Sequence, residues 1–137
     1  MSTEENKRIV TQFHNAMAAG DVEGTLSWLA PGAIWWVISN QPGGTTATKE
    51  TIAPALAVYS KMYQQEPQYE LLSLTAEDDR VALEKSARGG LTHGGARYDN
   101  DYFMLFRLRD GKIVEIREYM SPALVEPIMA EYSPGTA

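Results

Sequence analysis

The strongest structural signal in the chain is YDNDYFMLFRLRDGKIVEIREYMS, residues 98–121. Apolar and polar side chains alternate on both sides of residues 109–111, whose sequence RDG is typical of a tight turn. This alternation predicts two β-strands joined as a long antiparallel hairpin. One face of the hairpin is apolar near the turn and becomes polar toward the strand ends, at Asn100, Tyr102 and Glu118. We therefore expect the chemistry of the protein at those ends.

The turn sets which residues of the two strands face each other. A three-residue loop, a type I turn followed by glycine in a G1 bulge, suits residues 109–111. In that register Leu108 opposes Lys112 and, further along, Tyr102 opposes Glu118. A two-residue turn would instead set apolar side chains against charged ones on both faces. The pattern therefore favours the bulged turn.

Glu118 is predicted to point inward on this apolar face. An unpaired buried charge costs several kcal/mol, so the carboxylate must have a partner or keep its proton. On the preceding strand the alternation also turns Lys85 inward, where it could meet Glu118. We take Glu118, Lys85, Asn100 and Tyr102 as the candidate catalytic residues. The alternative is that Glu118 is exposed at the sheet edge or held in a structural ion pair.

The rest of the chain is predicted to be helical first and β-rich later. The segment at 89–95, rich in glycine, is either a flexible loop or the splayed, bulged ends of two long strands. Helices packed on one face of a curved antiparallel sheet make an α+β fold. The expected helices run from Ser2 or Thr3 through Ala19, from Asp21 to Pro31, from Thr48 or Thr51 to about Tyr63 and from Ala123 to Tyr132, and the expected strands lie at 33–38, 69–76 and 80–88.

A pocket in such a fold would be lined by aromatic and methionine side chains. His14 lies one helical step from apolar neighbours, which places it over the pocket or leaves it as a hydrogen-bonded or partly exposed helix residue. The adjacent Trp35 and Trp36 must send their rings to opposite sides of their strand, one to the core or pocket and one toward a partner subunit. The predicted ligand-binding residues are His14, Trp36, Met104, Met120, Met17 and Tyr59.

Composition narrows the possible partners. With a net charge of −6 and 12 basic residues among 18 acidic ones, neither nucleic acid nor an anionic membrane surface is an expected partner. The chain has no cysteine and two histidines, so we expect no metal and no cofactor. No signal peptide or membrane span is evident, which makes the cytoplasm the expected location. The 137 residues fit one domain, 1–137, with 1–3 and 133–137 expected to fray.

Three segments together resemble the SnoaL-like group of the NTF2-like superfamily, which includes ketosteroid isomerases and polyketide cyclases. They are FHNAMAAGD at 13–21, PGAIWW at 31–36 and the hairpin itself, so the resemblance covers nearly the whole chain. It implies a cone-shaped α+β fold around a deep apolar cavity, and a homodimer formed through the sheet. The superfamily hosts many different reactions, so the resemblance alone does not choose one.

Residue by residue, the resemblance leaves one acid or base. The tyrosine and aspartate of ketosteroid isomerases would fall near Phe13 and Trp36, and neither is present. The Arg-x-Asp pair of limonene-epoxide-hydrolase-like members would fall at Lys85 and Ala87, which leaves Glu118 alone. The expected function is thus a cofactor-independent isomerase, cyclase, hydrolase or dehydratase that uses one buried acid/base on a small apolar or aromatic molecule. The alternative is a non-catalytic small-molecule-binding or scaffold protein.

Overall fold

The predicted helices and strands all occur, in the predicted order, and the structure adds two short strands at Thr45–Thr48 and Tyr63–Gln65, the second of which begins where the third helix was expected to end. The computed structural model describes residues 2–132. The helices are α1 (Thr3–Ala18), α2 (Val22–Ser27), α3 (Lys49–Tyr59) and α4 (Pro122–Met129), with a 3₁₀ turn at Ala130–Tyr132. The strands are β1 (Leu29–Val37), β2 (Thr45–Thr48), β3 (Tyr63–Gln65), β4 (Gln68–Glu77), β5 (Arg80–Thr92), β6 (Arg97–Arg109) and β7 (Lys112–Tyr119). The predicted α+β class is confirmed.

The helix starts are set by side-chain caps. Ser2 accepts the backbone N–H of Glu5 at 3.1 Å, and Asp21 accepts that of Gly24 at 2.9 Å. At α3 the side chains of Thr48 and Thr51 form a reciprocal capping box. Ser2 is thus the N-cap of α1 and Thr3 its first residue, whereas Met1 and 133–137 lie outside the described residues.

The strands form one curved mixed sheet. Its order is β2-β1-β7-β6-β5-β3, and β4 also pairs with β5. The strands from β4 to β7 form the expected antiparallel meander, while β1 runs parallel to β7. The alternative of bulged strand ends is the correct one for the glycine-rich segment, since the β5–β6 register shifts between Ala87 and Gly90 and pairing continues to Leu91.

The boundary expected before the first strand is wrong. β1 begins at Leu29 rather than Ala33, and its register against β7 shifts between Leu29 and Ile34. Pro31 and Gly32 lie inside this irregular part, and Gly32 has a positive φ of 72°. Proline and glycine are tolerated in a strand where the ladder is interrupted, so they mark a bulge here rather than the strand start.

The register predicted for the hairpin is also wrong. Asp110 and Gly111 both have positive φ, 51° and 79°, which is the conformation of a two-residue type I′ turn. The extra residue is Val114 in β7, because Leu108 pairs with Ile113 and Arg107 with Glu115. The bulge thus lies within the strand and not in the turn.

The bulge keeps the apolar face continuous by a different route. Ile113 and Ile116 are both fully buried although they are three residues apart, because Val114 absorbs one step of the alternation. Glu118 still points inward, as predicted, but its neighbour across the ladder is Met104 and not Tyr102.

The core lies between α1 and the concave face of the sheet. Phe13 is 1% exposed and packs its ring 5.6 Å from that of Phe106 and 5.7 Å from that of Trp35. Val10 on the same helix face is fully buried as well. This core fixes α1 and closes one end of the cone, so the space that remains open lies toward α3 and α4.

Candidate functional site

A cavity of about 500 Å³ lies at the open end of the cone. Its walls come from the concave face of the sheet and from the helices that cover it, including Leu56 of α3 and Ile128 of α4. Most of the lining is apolar or aromatic, and the volume is in the range of pockets for small organic molecules. The polar groups on the wall are therefore the ones that could orient or activate a bound molecule.

Glu118 is held at this wall by Trp35. The indole Nε1–H of Trp35 donates a hydrogen bond to Oε1 of Glu118 at 3.0 Å. Glu118 keeps some accessible surface because it borders the cavity, although protein surrounds it on the other sides. Burial raises the pKa of the Glu118 carboxyl, while the Lys85 charge and the Trp35 hydrogen bond act in the opposite direction. The carboxyl can therefore exchange a proton with a bound molecule.

Lys85 lies on β5 on the same concave face, and 6% of its surface is exposed. Its Nζ is 5.0 Å from the ring centroid of Tyr69 and 5.0 Å from that of Tyr102. Lys85 and Glu118 influence each other's pKa through space, yet no ion pair joins them within residues 2–132. The expected meeting of the two side chains is thus a long-range electrostatic interaction.

Three tyrosines form the polar part of the wall beside Lys85. They are Tyr69, Tyr98 and Tyr102, and all three border the cavity. The hydroxyls of Tyr98 and Tyr102 are hydrogen-bonded to each other. Burial raises the pKa of the Tyr102 hydroxyl well above its usual value, and burial likewise raises that of Tyr69. At neutral pH these phenols are protonated and can donate hydrogen bonds to a ligand oxygen.

Asn100 lies behind this wall rather than on it. It is 2% exposed, and its Nδ2 donates to the Tyr98 hydroxyl and to the Ser121 carbonyl, each at 3.1 Å. Its Oδ1 accepts the backbone N–H groups of Asp101 and Ser121 at 2.9 and 3.1 Å. The expectation that Asn100 contacts a bound molecule is wrong, because its amide is fully occupied in fixing Tyr98 and the end of β7.

Trp36 was expected in the pocket, and the structure places Trp35 there instead. Trp35 is 4% exposed and borders the cavity. The Trp36 ring lies on the opposite face of the sheet, 4.0 Å from the Arg117 guanidinium carbon and 5.2 Å from the Tyr119 ring, and its Nε1–H donates to the Gly43 carbonyl at 2.7 Å. Ala33 and Trp35 share the buried side of β1, so Trp36 lies on the other side.

His14 is buried, but it is not part of the cavity wall. Its ring stands edge-on to Tyr69 with centroids 6.5 Å apart, and its Nδ1 has no hydrogen-bond partner in the described part of the chain. Burial, with a contribution from the Lys85 charge, lowers the pKa of His14 to about 4. Tyr69 lies between His14 and the cavity, contrary to the expectation that His14 binds a ligand. His14 therefore supports the wall from behind as a neutral side chain.

The other predicted ligand-binding residues do border the cavity. They are Met17, Tyr59, Met104 and Met120. The wall also includes aromatic residues that are absent from the prediction, among them Trp35, Tyr69 and Tyr98. On β5, Ala87 and Lys85 face inward, and their partners on β4 are Tyr69 and Leu71. The alternation of β4 therefore predicts that Tyr69 also faces inward.

No site for a metal is formed among the described residues, since no group of three or more histidine or acidic side chains converges there. Between Ser2 and Tyr132 no helix has both the length and the apolar character needed to cross a membrane.

The chain matches the family model of the SnoaL-like domain over residues 10–116. No curated protein shows significant sequence similarity to it. An NTF2-like protein from Burkholderia xenovorans LB400 is 27% identical, with a TM-score of 0.71 over 93% of this chain and 98% of that one.

Two further solved structures share the fold at lower identity. A candidate isomerase from Bacillus subtilis is 20% identical, with a TM-score of 0.79 over 95% of this chain and 96% of that one. A candidate polyketide cyclase from Streptomyces antibioticus is 19% identical, with a TM-score of 0.71 over 91% and 98% of the two chains. These likenesses confirm the cone-shaped fold that the sequence resemblance implied.

Proposed function

The chain belongs to the SnoaL-like family, and on that premise we propose that it is a cofactor-independent enzyme acting on a small apolar or aromatic molecule, with Glu118 as its one acid/base. The observation that carries this proposal is the Trp35–Glu118 hydrogen bond at the wall of an apolar cavity. A carboxyl fixed in position and open to the cavity is what a proton transfer to or from a bound molecule requires.

The environment of Glu118 supports this role. Burial raises the pKa of its carboxyl, and a carboxyl whose pKa lies closer to neutrality is a better acid/base at physiological pH. Lys85 and Tyr102 lie on the same wall and can stabilise an oxyanion that develops on the substrate. One positioned acid/base contributes roughly 10²–10⁴-fold to a rate, which suffices for substrates with an activated C–H bond or leaving group.

The reaction class that we propose follows from the presence of a single acid/base, the Glu118 carboxyl. Isomerisation, ring closure, hydrolysis or dehydration can proceed through a single proton-transfer residue when the substrate is itself activated. Within the described chain no second carboxylate is hydrogen-bonded to Glu118. Reactions that need a carboxylate pair are therefore not part of the proposal.

The alternative is a binding protein with the same cavity and no turnover. The observation that favours it is that a Trp35 bond to Glu118 also satisfies a buried carboxyl in a purely structural role. In that case removing the Glu118 charge would alter ligand binding and stability together.

The test uses 5-nitrobenzisoxazole, an apolar aromatic carbon acid. A base removes its ring C–H proton while the N–O bond breaks, and a coloured cyanophenolate forms without any other reagent. We expect Glu118→Gln to abolish turnover while Trp fluorescence quenching by the same compound, which reports binding, is retained. Glu115→Gln is the matched control, because Glu115 lies three residues away in an exposed contact with Arg107 at 3.2 Å. Quenching by the compound without any turnover in the unchanged protein would favour the binding protein.

We further propose that two copies associate through the outer face of the sheet. Its exposed apolar side chains support this, since Phe103 and Leu72 are each 50% exposed and Ile34 is 44% exposed.

The cytoplasm is the compartment we propose, and a sequence without cysteine is compatible with that reducing environment. The acidic net charge supports the absence of a nucleic-acid or membrane partner.

A further inference from the structure

Lys85 is a buried amine that borders an apolar cavity. Its Nζ lies between the rings of Tyr69 and Tyr102, 5.0 Å from each centroid, and the side chain is 6% exposed. In the described chain no carboxylate forms an ion pair with it. A lysine in such surroundings loses the hydration that stabilises its ammonium form, and this activates lysines as nucleophiles toward carbonyl groups.

Most of the groups that face Lys85 carry no charge at neutral pH. His14 carries no charge at neutral pH, because burial lowers its pKa to about 4. The phenols of Tyr69 and Tyr102 are protonated, since burial raises the pKa of both. Glu118 also lies on this wall, and its charge raises the pKa of Lys85, against the larger effect of burial, which lowers it. Burial also raises the pKa of Glu118, so the apolar cavity disfavours the charged form of both groups.

The sheet places these two groups on either side of β6. Lys85 pairs with Tyr102, and Glu118 pairs with Met104 two residues further along β6. Neighbouring strands are about 4.8 Å apart, so a small molecule over β6 can be reached by both side chains.

We propose that Lys85 forms an imine with an apolar ketone or aldehyde bound in the cavity. This inference rests on the proposed function, because it names the substrate class of the same site. The substrate class is then a carbonyl compound with an acidic C–H bond next to the carbonyl carbon.

The steps balance without any external reagent. The neutral Lys85 amine adds to the carbonyl carbon, and the proton held by Glu118 passes to the carbonyl oxygen as the C=O double bond becomes single. The amine nitrogen then loses a proton to Glu118, and this proton returns to the hydroxyl, which leaves as water. The product is a Lys85 imine, and its protonated form draws electrons from the adjacent C–H bond. Glu118, once ionised, is placed to remove that proton.

The experiment uses 2-tetralone with sodium cyanoborohydride, which reduces an imine to a stable amine. Peptide mapping by mass spectrometry then locates the adduct. At pH 7 we expect the adduct at Lys85 to form faster than at the exposed Lys61, since burial lowers the pKa of Lys85 and so raises the fraction of neutral amine. Lys85→Arg, which keeps the charge but cannot form the imine, should abolish the cavity adduct. Lys61→Arg is the matched control and should leave it unchanged.

A second measurement keeps the proposal falsifiable if Lys85→Arg does not fold. Tetralin has the same ring system without the carbonyl, and in the unmodified protein it should suppress the Lys85 adduct while leaving Lys61 unaffected. Adducts confined to surface lysines, or a Lys85 adduct insensitive to tetralin, would overturn the imine. Because 5-nitrobenzisoxazole has no carbonyl, Glu118-dependent turnover of that compound would then survive, and the two failures are distinguishable.

Discussion

The indole N–H of Trp35 and the carboxyl of Glu118 are joined by a 3.0 Å hydrogen bond although the two residues are 83 positions apart in the chain. The bond is possible because β1 and β7 run parallel, with Val37 beside Glu118 and Trp35 beside Ile116. A donor to one oxygen orients the carboxyl and favours its ionised form. The geometry of the site thus depends on the pairing of the first strand with the last.

Replacing Trp35 by Phe removes this donor. Since the bond lowers the pKa of Glu118, we expect its loss to raise that pKa further and to move the pH–rate profile for 5-nitrobenzisoxazole to higher pH. Trp36→Phe is the matched control, because Trp36 lies on the outer face of the same strand. An identical shift in both variants would mean that Trp35 does not tune Glu118.

His14 makes stability depend on pH. Its pKa is about 4 in the folded protein against 6.5 for the free side chain, so the unfolded state binds its proton first as pH falls. As far as His14 is concerned, the free energy of unfolding is highest above pH 6.5, and it falls progressively as the pH drops from 6.5 through about 4. The shift corresponds to about 3 kcal/mol, which His14→Leu should remove from the acid dependence.

The measurement for His14 is the free energy of unfolding by urea at several pH values. His93→Leu provides the control, since His93 is exposed in the turn between β5 and β6. An acid dependence that is equally steep in His14→Leu and in the unchanged protein would show that His14 is not responsible.

Asn100 is expected to matter for stability rather than for binding chemistry. Asn100→Ala removes the hydrogen bonds that this buried amide makes to Tyr98, Asp101 and Ser121, and it should cost about 2–4 kcal/mol of the free energy of unfolding. Asp101→Ala, which removes an exposed 2.7 Å ion pair with Arg88, should cost at most about 1 kcal/mol. Equal losses measured by urea unfolding would contradict the structural role of Asn100.

The outer face of the sheet is predicted to hold two copies together. In sedimentation at micromolar concentration we expect a dimer, and Phe103→Lys should convert it to a monomer by placing a charge among apolar contacts. Leu124→Lys is a comparable change on α4, where 49% of the residue is exposed, and should leave the dimer intact. A monomeric unchanged protein would refute the interface.

Most elements could be predicted because their signals are local. Ser2, Asp21 and Thr48 cap helices through bonds to residues three positions away, and such spacing is visible in the sequence. The inward orientation of Glu118 and Lys85 likewise follows from strand alternation, which is also local.

The site geometry depended on facts that are not local. Whether Trp35 or Trp36 faces inward is decided by how β1 pairs with β7. Two adjacent tryptophans in the sequence do not show which of them is the inward one. A bulge in the turn and a bulge at Val114 both leave Ile116 and Glu118 on the inner face, so the residue across from Glu118 could not be determined from the sequence. His14 has the spacing of a pocket residue, but Tyr69 from a distant strand lies in front of it.

The assignment of Glu118 as the acid/base is tested by the pH–rate profile for 5-nitrobenzisoxazole turnover. Burial raises the pKa of Glu118 above its usual 4.5, and the base must be ionised to act, so turnover should rise with pH around a midpoint above 4.5. In Glu118→Gln that rise should vanish while quenching by the compound persists. A profile that is unchanged in Glu118→Gln would contradict the assignment of Glu118 as the acid/base of this site.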